Sequence, residues 1–88
     1  MFQVNQRVQI TAPDALRMIA QRKASSTGTI IAIVPDSRWP VKVLLDDGQP
    51  FSIPFSFNGE VCNYNFSFTS DGRHNHGDLQ PGLIVVNV

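Results

Sequence analysis

Phe51-Ser52-Ile53-Pro54-Phe55-Ser56-Phe57, then Asn58-Gly59, then Glu60-Val61-Cys62-Asn63-Tyr64-Asn65-Phe66-Ser67-Phe68 is the stretch from which the architecture is read. Asn-Gly supplies the two positive-φ residues of a type I′ turn, whose twist suits the strands on either side. A hairpin closed there sets Phe57 opposite Glu60, Phe55 opposite Cys62, Ile53 opposite Tyr64 and Phe51 opposite Phe66. The apolar residues of one strand then meet those of the other on a single face. A slip of one residue would send every one of them to the opposite face.

Working outward from the hairpin, the preceding turn is Asp46-Asp47-Gly48. A two-residue Asp-Gly loop would place Lys42 opposite Ile53 and mix the faces. A three-residue loop with Gly48 in the left-handed conformation pairs Leu45 with Gln49, Val43 with Phe51, Val41 with Ile53 and Trp39 with Phe55, which keeps one apolar face continuous across three strands. The bulged loop is therefore expected. Pro50 and Pro54 cannot donate to a ladder, so their strand should carry an exposed or irregular edge.

Upstream, Gln6–Ile10 reads as a first strand with Val8 and Ile10 inward, and Gly28 opens the β-branched strand Thr29–Val34. Pro35-Asp-Ser-Arg38 is a turn leading into a strand over Trp39–Leu45, and a last strand, Leu83–Val86, closes the chain. Between Thr11 and Thr27 two readings stand. Either Thr11 or Asp14 caps a short helix with Pro13 in its first turn and Leu16, Ile19 and Ala20 as its buried stripe, or the stretch is one long loop. Short strands in meander order, with this long connection after the first, make a mainly β fold. The expected architecture is a small five-stranded antiparallel barrel of the Src-homology-3 (SH3-like) type, with a short helix or long loop after the first strand.

Eighty-eight residues form one domain with a modest core. Seven Lys+Arg balance seven Asp+Glu, which argues against non-specific nucleic-acid binding, since that rests on neutralising phosphates. The charges are unevenly placed: Arg7, Arg17, Arg22 and Lys23 oppose only Asp14 in the first third, whereas Asp46, Asp47, Glu60, Asp71 and Asp78 oppose only Arg73 after residue 44. Cys62 is alone, so no internal disulfide forms. No apolar run has membrane-spanning length and no leader-like segment opens the chain, so no membrane association and a cytoplasmic location are expected.

Four short motifs recur in a known order: Phe2-x-Val-x-x-Arg-Val8, Gly28-Thr-Ile30, Trp39-Pro-Val41, and Phe68-Thr-Ser-Asp-Gly-Arg73 before a final apolar strand. Together they resemble small phage- and prophage-encoded SH3-like proteins of mostly unassigned function, over nearly the whole chain. This chain departs from that pattern in its long Thr11–Thr27 insertion and its His-rich tail after Arg73. The resemblance implies an accessory protein working in a bacterial host cell.

Asp71, Arg73, His74, His76 and Asp78 are the densest polar group. His74 and His76, with Cys62 or Asp78, would be zinc-type ligands, but no Cys-x-x-Cys or His-Glu-x-x-His spacing accompanies them, so two solvated histidines and no metal are expected. Asp71-Gly72 reads as turn chemistry, with Arg73 pairing Asp71 or reaching a ligand. Trp39 and Tyr64 could line a peptide groove, although the register above places both in the core. Cys62 is an inert thiol, and Asp46 and Asp47 diverge as turn neighbours. No nucleophile–base pair is present, so no enzyme and no cofactor are expected.

The expected function is a protein-binding module directed at a host or phage protein, an inhibitor of a host enzyme or defence complex being its specific form. The binding residues would be Arg17, Arg22, Lys23, Arg38, Trp39, Asp71, Arg73, His74 and His76. Two alternatives remain: a nucleic-acid-binding barrel with Arg7, Arg17, Arg22 and Lys23 as its rim, and a homo-oligomeric virion component.

Overall fold

The computed structural model describes residues 2–75, 77 and 80–86. Among them are seven strands and one α-helix: β1 (Arg7–Ile10), α1 (Pro13–Gln21), β2 (Thr27–Ile33), β3 (Val41–Leu45), β4 (Ile53–Phe57), β5 (Glu60–Tyr64), β6 (Phe66–Phe68) and β7 (Leu83–Val85). A single 3₁₀ turn spans Gln49–Phe51. Five strands form one antiparallel sheet in the order β6-β3-β2-β1-β7, while β4 and β5 form a separate two-stranded ribbon.

Period-two alternation decides the sheet. Val8 and Ile10, Gly28, Ile30 and Ala32, Val41, Val43 and Leu45, and Phe66 and Phe68 all turn to one buried face, and their neighbours turn outward. Gly28 lies opposite Leu45, and a Cβ there would stand 2.4 Å from the Leu44 carbonyl oxygen, so the close approach of β2 and β3 requires glycine. The register shifts between Ile30 and Ala32, an irregularity that leaves Val41 opposite Ile33. A bidentate ion pair from Arg7 to Asp46 (2.5 and 2.7 Å) ties β1 to the end of β3.

The helix reading of residues 11–27 holds, with Pro13 in its first turn, but the buried stripe differs from the expected one. Ala12, Ala15 and Ile19 enter the core, whereas Leu16 is 37% exposed and Ala20 faces solvent. Neither Thr11 nor Asp14 caps the helix. Ala12 occupies the N-cap without a side-chain bond, and the Thr11 hydroxyl instead donates to the Pro81 carbonyl (3.0 Å), fastening the helix start to the segment before β7. No described helix is long and apolar enough to cross a membrane.

The expected pairing after β3 is overturned. The hairpin register itself is as read, with Ile53 opposite Tyr64, Phe55 opposite Cys62 and Phe57 opposite Glu60, and Asn58 and Gly59 both at positive φ. Phe51, however, does not face Phe66. Val43 pairs with Phe66 and Val41 with Phe68, so β6 holds the sheet position expected of residues 51–55. Gly48 is right-handed (φ −87°), and no left-handed bulge forms. From Gly48 the chain enters the 3₁₀ turn, in which the Phe51 N–H donates to the Gly48 carbonyl (3.1 Å), and this turn steers it out of the sheet. Trp39 precedes β3 and is only half-buried, which corrects its expected place in the core.

Asn65 sits where the second hairpin strand crosses from ribbon to sheet. Its N–H donates to the Val43 carbonyl (2.8 Å). Its Oδ1 accepts the Leu45 N–H (2.8 Å), and its Nδ2 donates to the Gly48 carbonyl (3.0 Å). One amide side chain thus satisfies backbone groups that the 46–48 turn would leave open.

Candidate recognition surface

The ribbon lies outside the core. Ile53 is 51% exposed, Val61 75%, and Phe55, Phe57, Cys62 and Tyr64 are only half-buried. Ile53, Phe55 and Phe57 share a face with Cys62 and Tyr64 by register, and this is the face expected to join the core. Within it, Phe55 meets Tyr64 edge-on at 5.3 Å between ring centroids and Phe57 at 6.3 Å.

At the ribbon base this face runs into an apolar groove of about 340 Å³. Met18 of α1, Trp39, Ile53, Tyr64, Phe66 and His74 are among the residues that line it. His74 stands against the rings of Phe66 (5.9 Å) and Phe68 (5.6 Å), so an edge of the core forms one wall. Trp39 and Tyr64 both reach the groove, whereas the expected strand register had buried them.

Beside it lies a polar cleft of about 520 Å³ between the Pro35–Pro40 loop and the Thr69–Arg73 turn, with Ser37, Arg38, Ser70, Asp71 and Arg73 on its walls. The turn is closed by local chemistry. The Gly72 N–H donates to the Thr69 carbonyl (2.9 Å), and the Arg73 N–H donates to the Thr69 hydroxyl (2.9 Å). That hydroxyl donates in turn to Asp71, whose other oxygen pairs with Arg73 Nε (3.1 Å). The Thr69 hydrogen bond, helped by Arg73, holds the Asp71 carboxyl below its ordinary pKa. Gly72 takes φ +84°, as an Asp-Gly turn of this kind demands.

The structure therefore separates the residues singled out from sequence. Arg38, Asp71 and Arg73 share the polar cleft, while Trp39 and His74 share the groove. Arg22 lies over the Phe51 ring (5.0 Å) at the ribbon base. Arg17 pairs loosely with Asp14 along the exposed helix face (4.0 Å), and neither Arg17 nor Lys23 lines the groove or the cleft. His76 and Asp78 lie outside the described residues. Cys62 faces Phe55 across the ribbon.

Comparison with protein-family models, with curated proteins and with solved structures gives no match. The surface must be read from its own chemistry.

Two contributors escaped the sequence reading. Met18 is one turn before Arg22 on α1 and is 46% exposed. Lys42 projects from the outer face of β3, donates to the Ser67 hydroxyl (3.0 Å) and lies 5.0 Å from the Tyr64 ring centroid. The alternation of β3 had already placed Lys42 away from the core. What it would meet there depended on the course of β5 and β6.

Proposed function

We propose that this chain is a non-enzymatic protein-binding module whose recognition surface is the apolar face of the β4–β5 ribbon together with the groove at its base. The observation that carries this is the ribbon itself. A two-stranded hairpin is at best marginal on its own, yet this one presents Ile53, Phe55, Phe57 and Tyr64 away from the core. Apolar surface gathered on an element outside the core favours an interaction site over an ordinary solvated surface.

The strand order supports an SH3-type barrel as the scaffold. With the ribbon set aside, β1, β2, β3 and β6 form a four-strand meander, and β7 returns to pair with β1. The ribbon is then an extension of the connection between the third and fourth barrel strands. With the motif resemblance to phage-type accessory proteins, this favours a partner in a bacterial host, and inhibition of a host enzyme or defence complex is the specific form of the proposal.

The test compares immobilised wild-type protein with a Phe55→Ser/Tyr64→Ser variant in nuclease-treated bacterial lysate at moderate salt, after matching their thermal stabilities. A bacterial protein retained by the wild type and lost by the variant is the expected result. Retention unaffected by the variant would refute the ribbon as the recognition surface, and retention that disappears with nuclease would reassign the surface to nucleic acid.

A further inference from the structure

The groove at the ribbon base is lined mainly by apolar and aromatic side chains, with Asn65, Ser67 and His74 beside them, and no carboxylate lines it among the described residues. Two cations stand at its rim. Lys42 is held there by Ser67, itself a lining residue, and by the Tyr64 ring. Arg22 follows the lining residue Met18 by one helical turn, and its guanidinium covers Phe51, two residues before the lining residue Ile53. Neither forms an ion pair with a described carboxylate, whereas Arg7, Arg17 and Arg73 do. Both therefore keep their charge available beside apolar surface. Partial burial lowers the Lys42 pKa from its ordinary value.

Added-strand pairing is disfavoured at the β4 edge of the ribbon. β4 is paired only on its β5 side, and Pro54 at its centre has no N–H to offer an incoming strand. A strand-like ligand is thus disfavoured at that edge. A second copy of the chain has few carboxylates to set against these cations: Asp14, Asp46 and Asp71 are in internal ion pairs and Asp47 accepts the Ser25 N–H (2.7 Å), which leaves Asp36 and Glu60 among the described residues.

We propose that this groove binds an acidic peptide segment of a partner protein, with one large apolar side chain inserted between Met18, Trp39, Ile53 and Tyr64 and flanking carboxylates on Lys42 and Arg22. This rests on the reading of the ribbon and groove as the recognition surface. The apolar anchor supplies most of the affinity, and the carboxylates supply orientation and the preference between ligands.

Three short synthetic peptides test it: a Phe/Leu anchor flanked by Glu, the same anchor flanked by Lys, and the Glu peptide with Ser replacing the anchor. Binding is followed by Trp39 fluorescence and by amide shifts in two-dimensional NMR. The expected result is shifts clustered at Met18, Ile53 and Tyr64, with the acidic anchored peptide binding about tenfold tighter than its basic twin at low salt, a gap that narrows as salt screens the rim. An Arg22→Glu/Lys42→Glu variant, checked for unchanged thermal stability, should abolish or invert the preference. Equal affinity for the acidic and basic peptides, binding of the anchorless peptide as tight as the anchored one, shifts centred elsewhere, or a concentration-dependent dimer that closes the groove would each overturn the proposal. If no peptide binds while the ribbon-dependent lysate partner is still captured, the ligand assignment falls and the module reading stands. If that capture also fails, both fall.

Discussion

Replacing Asn65 with alanine should cost this protein far more than its half-buried, polar character implies. The side chain accepts the Leu45 N–H and donates to the Gly48 carbonyl. Two net hydrogen bonds are worth about 2 kcal/mol, and the cost approaches about 3 kcal/mol if the Leu45 N–H is left without a partner. For a domain of this size that lowers Tm by about 10–20 °C. Asn63→Ala, one residue before Tyr64 and exposed, is the matched control and should stay within about 0.5 kcal/mol. The same geometry predicts a coupling. Gly48 has φ −87°, which any residue adopts, so Gly48→Ala carries no backbone penalty and by itself would stabilise by about 0.4–1 kcal/mol. A Cβ there, however, would fall 2.1 Å from Asn65 Oδ1. Gly48→Ala should therefore destabilise the wild type yet be neutral or stabilising in the Asn65→Ala background, with a coupling above about 1 kcal/mol. Urea denaturation of the four proteins in the cycle measures this directly. Additive effects, or an Asn65→Ala loss no larger than that of Asn63→Ala, would refute Asn65 as the residue that joins ribbon to sheet.

Phe68 is fully buried, and Phe68→Ala should cost about 3–5 kcal/mol, a large share of a small domain's total stability; a loss below about 1.5 kcal/mol in the same assay would mean that β6 is not the strand completing the core. Gly72→Ala meets both a positive φ of +84° and a Cβ position 2.8 Å from the Phe2 ring, so it should destabilise by more than about 1 kcal/mol, with equal stability of the two proteins as the contrary result. Asp46 and Asp71 are held below their ordinary value of 3.8, Asp46 chiefly by its hydrogen bond from Arg7 and Asp71 chiefly by the Thr69 hydroxyl. Depressed carboxylates contribute stability that is complete above that value and is lost as pH falls through the lower folded-state values, so Tm should decline below about pH 4, and less steeply in Asp46→Asn; parallel acid profiles for wild type and Asp46→Asn would count against the Arg7 bridge.

Much of the fold was readable because local signals agreed. Asn58-Gly59 with alternation on both sides set the hairpin register, and Pro13 with a four-residue apolar spacing marked the helix. The helix face came out one residue off because Ala12 and Ala15, both almost fully buried, carry little hydrophobic signal beside Leu16, which stays partly exposed. The site was less legible for a different reason. Arg38, Asp71 and Arg73 converge, as do Trp39 and His74, but only through packing of the 35–40 loop against the 69–74 turn, segments far apart in sequence. Met18 and Lys42 each follow the pattern of their own element, and nothing local to either one indicates the groove they reach.

The decisive ambiguity lay in which segment would pair with the free edge of β3. Phe51-Ser-Ile-Pro-Phe55 and Phe66-Ser-Phe68 both alternate apolar and small polar residues, so hydrophobic pattern alone cannot rank them. Backbone donors can. The first segment follows Pro50 and contains Pro54, so seating it between β3 and another strand risks an empty ladder position. The second contains no proline and contributes Phe68 and Phe66, at 0% and 5% exposure, to the core. The two prolines thus already favoured β6, and the continuity of an apolar face was the weaker argument. The choice also accounts for the surface. Once β6 takes the sheet position, the segment carrying Ile53, Phe55 and Phe57 has only β5 to pair with, and its apolar face is left to whatever binds there. The same prolines that keep β4 out of the sheet blunt its outer edge, so the chain can present aromatic side chains on a ribbon with less risk of recruiting stray strands.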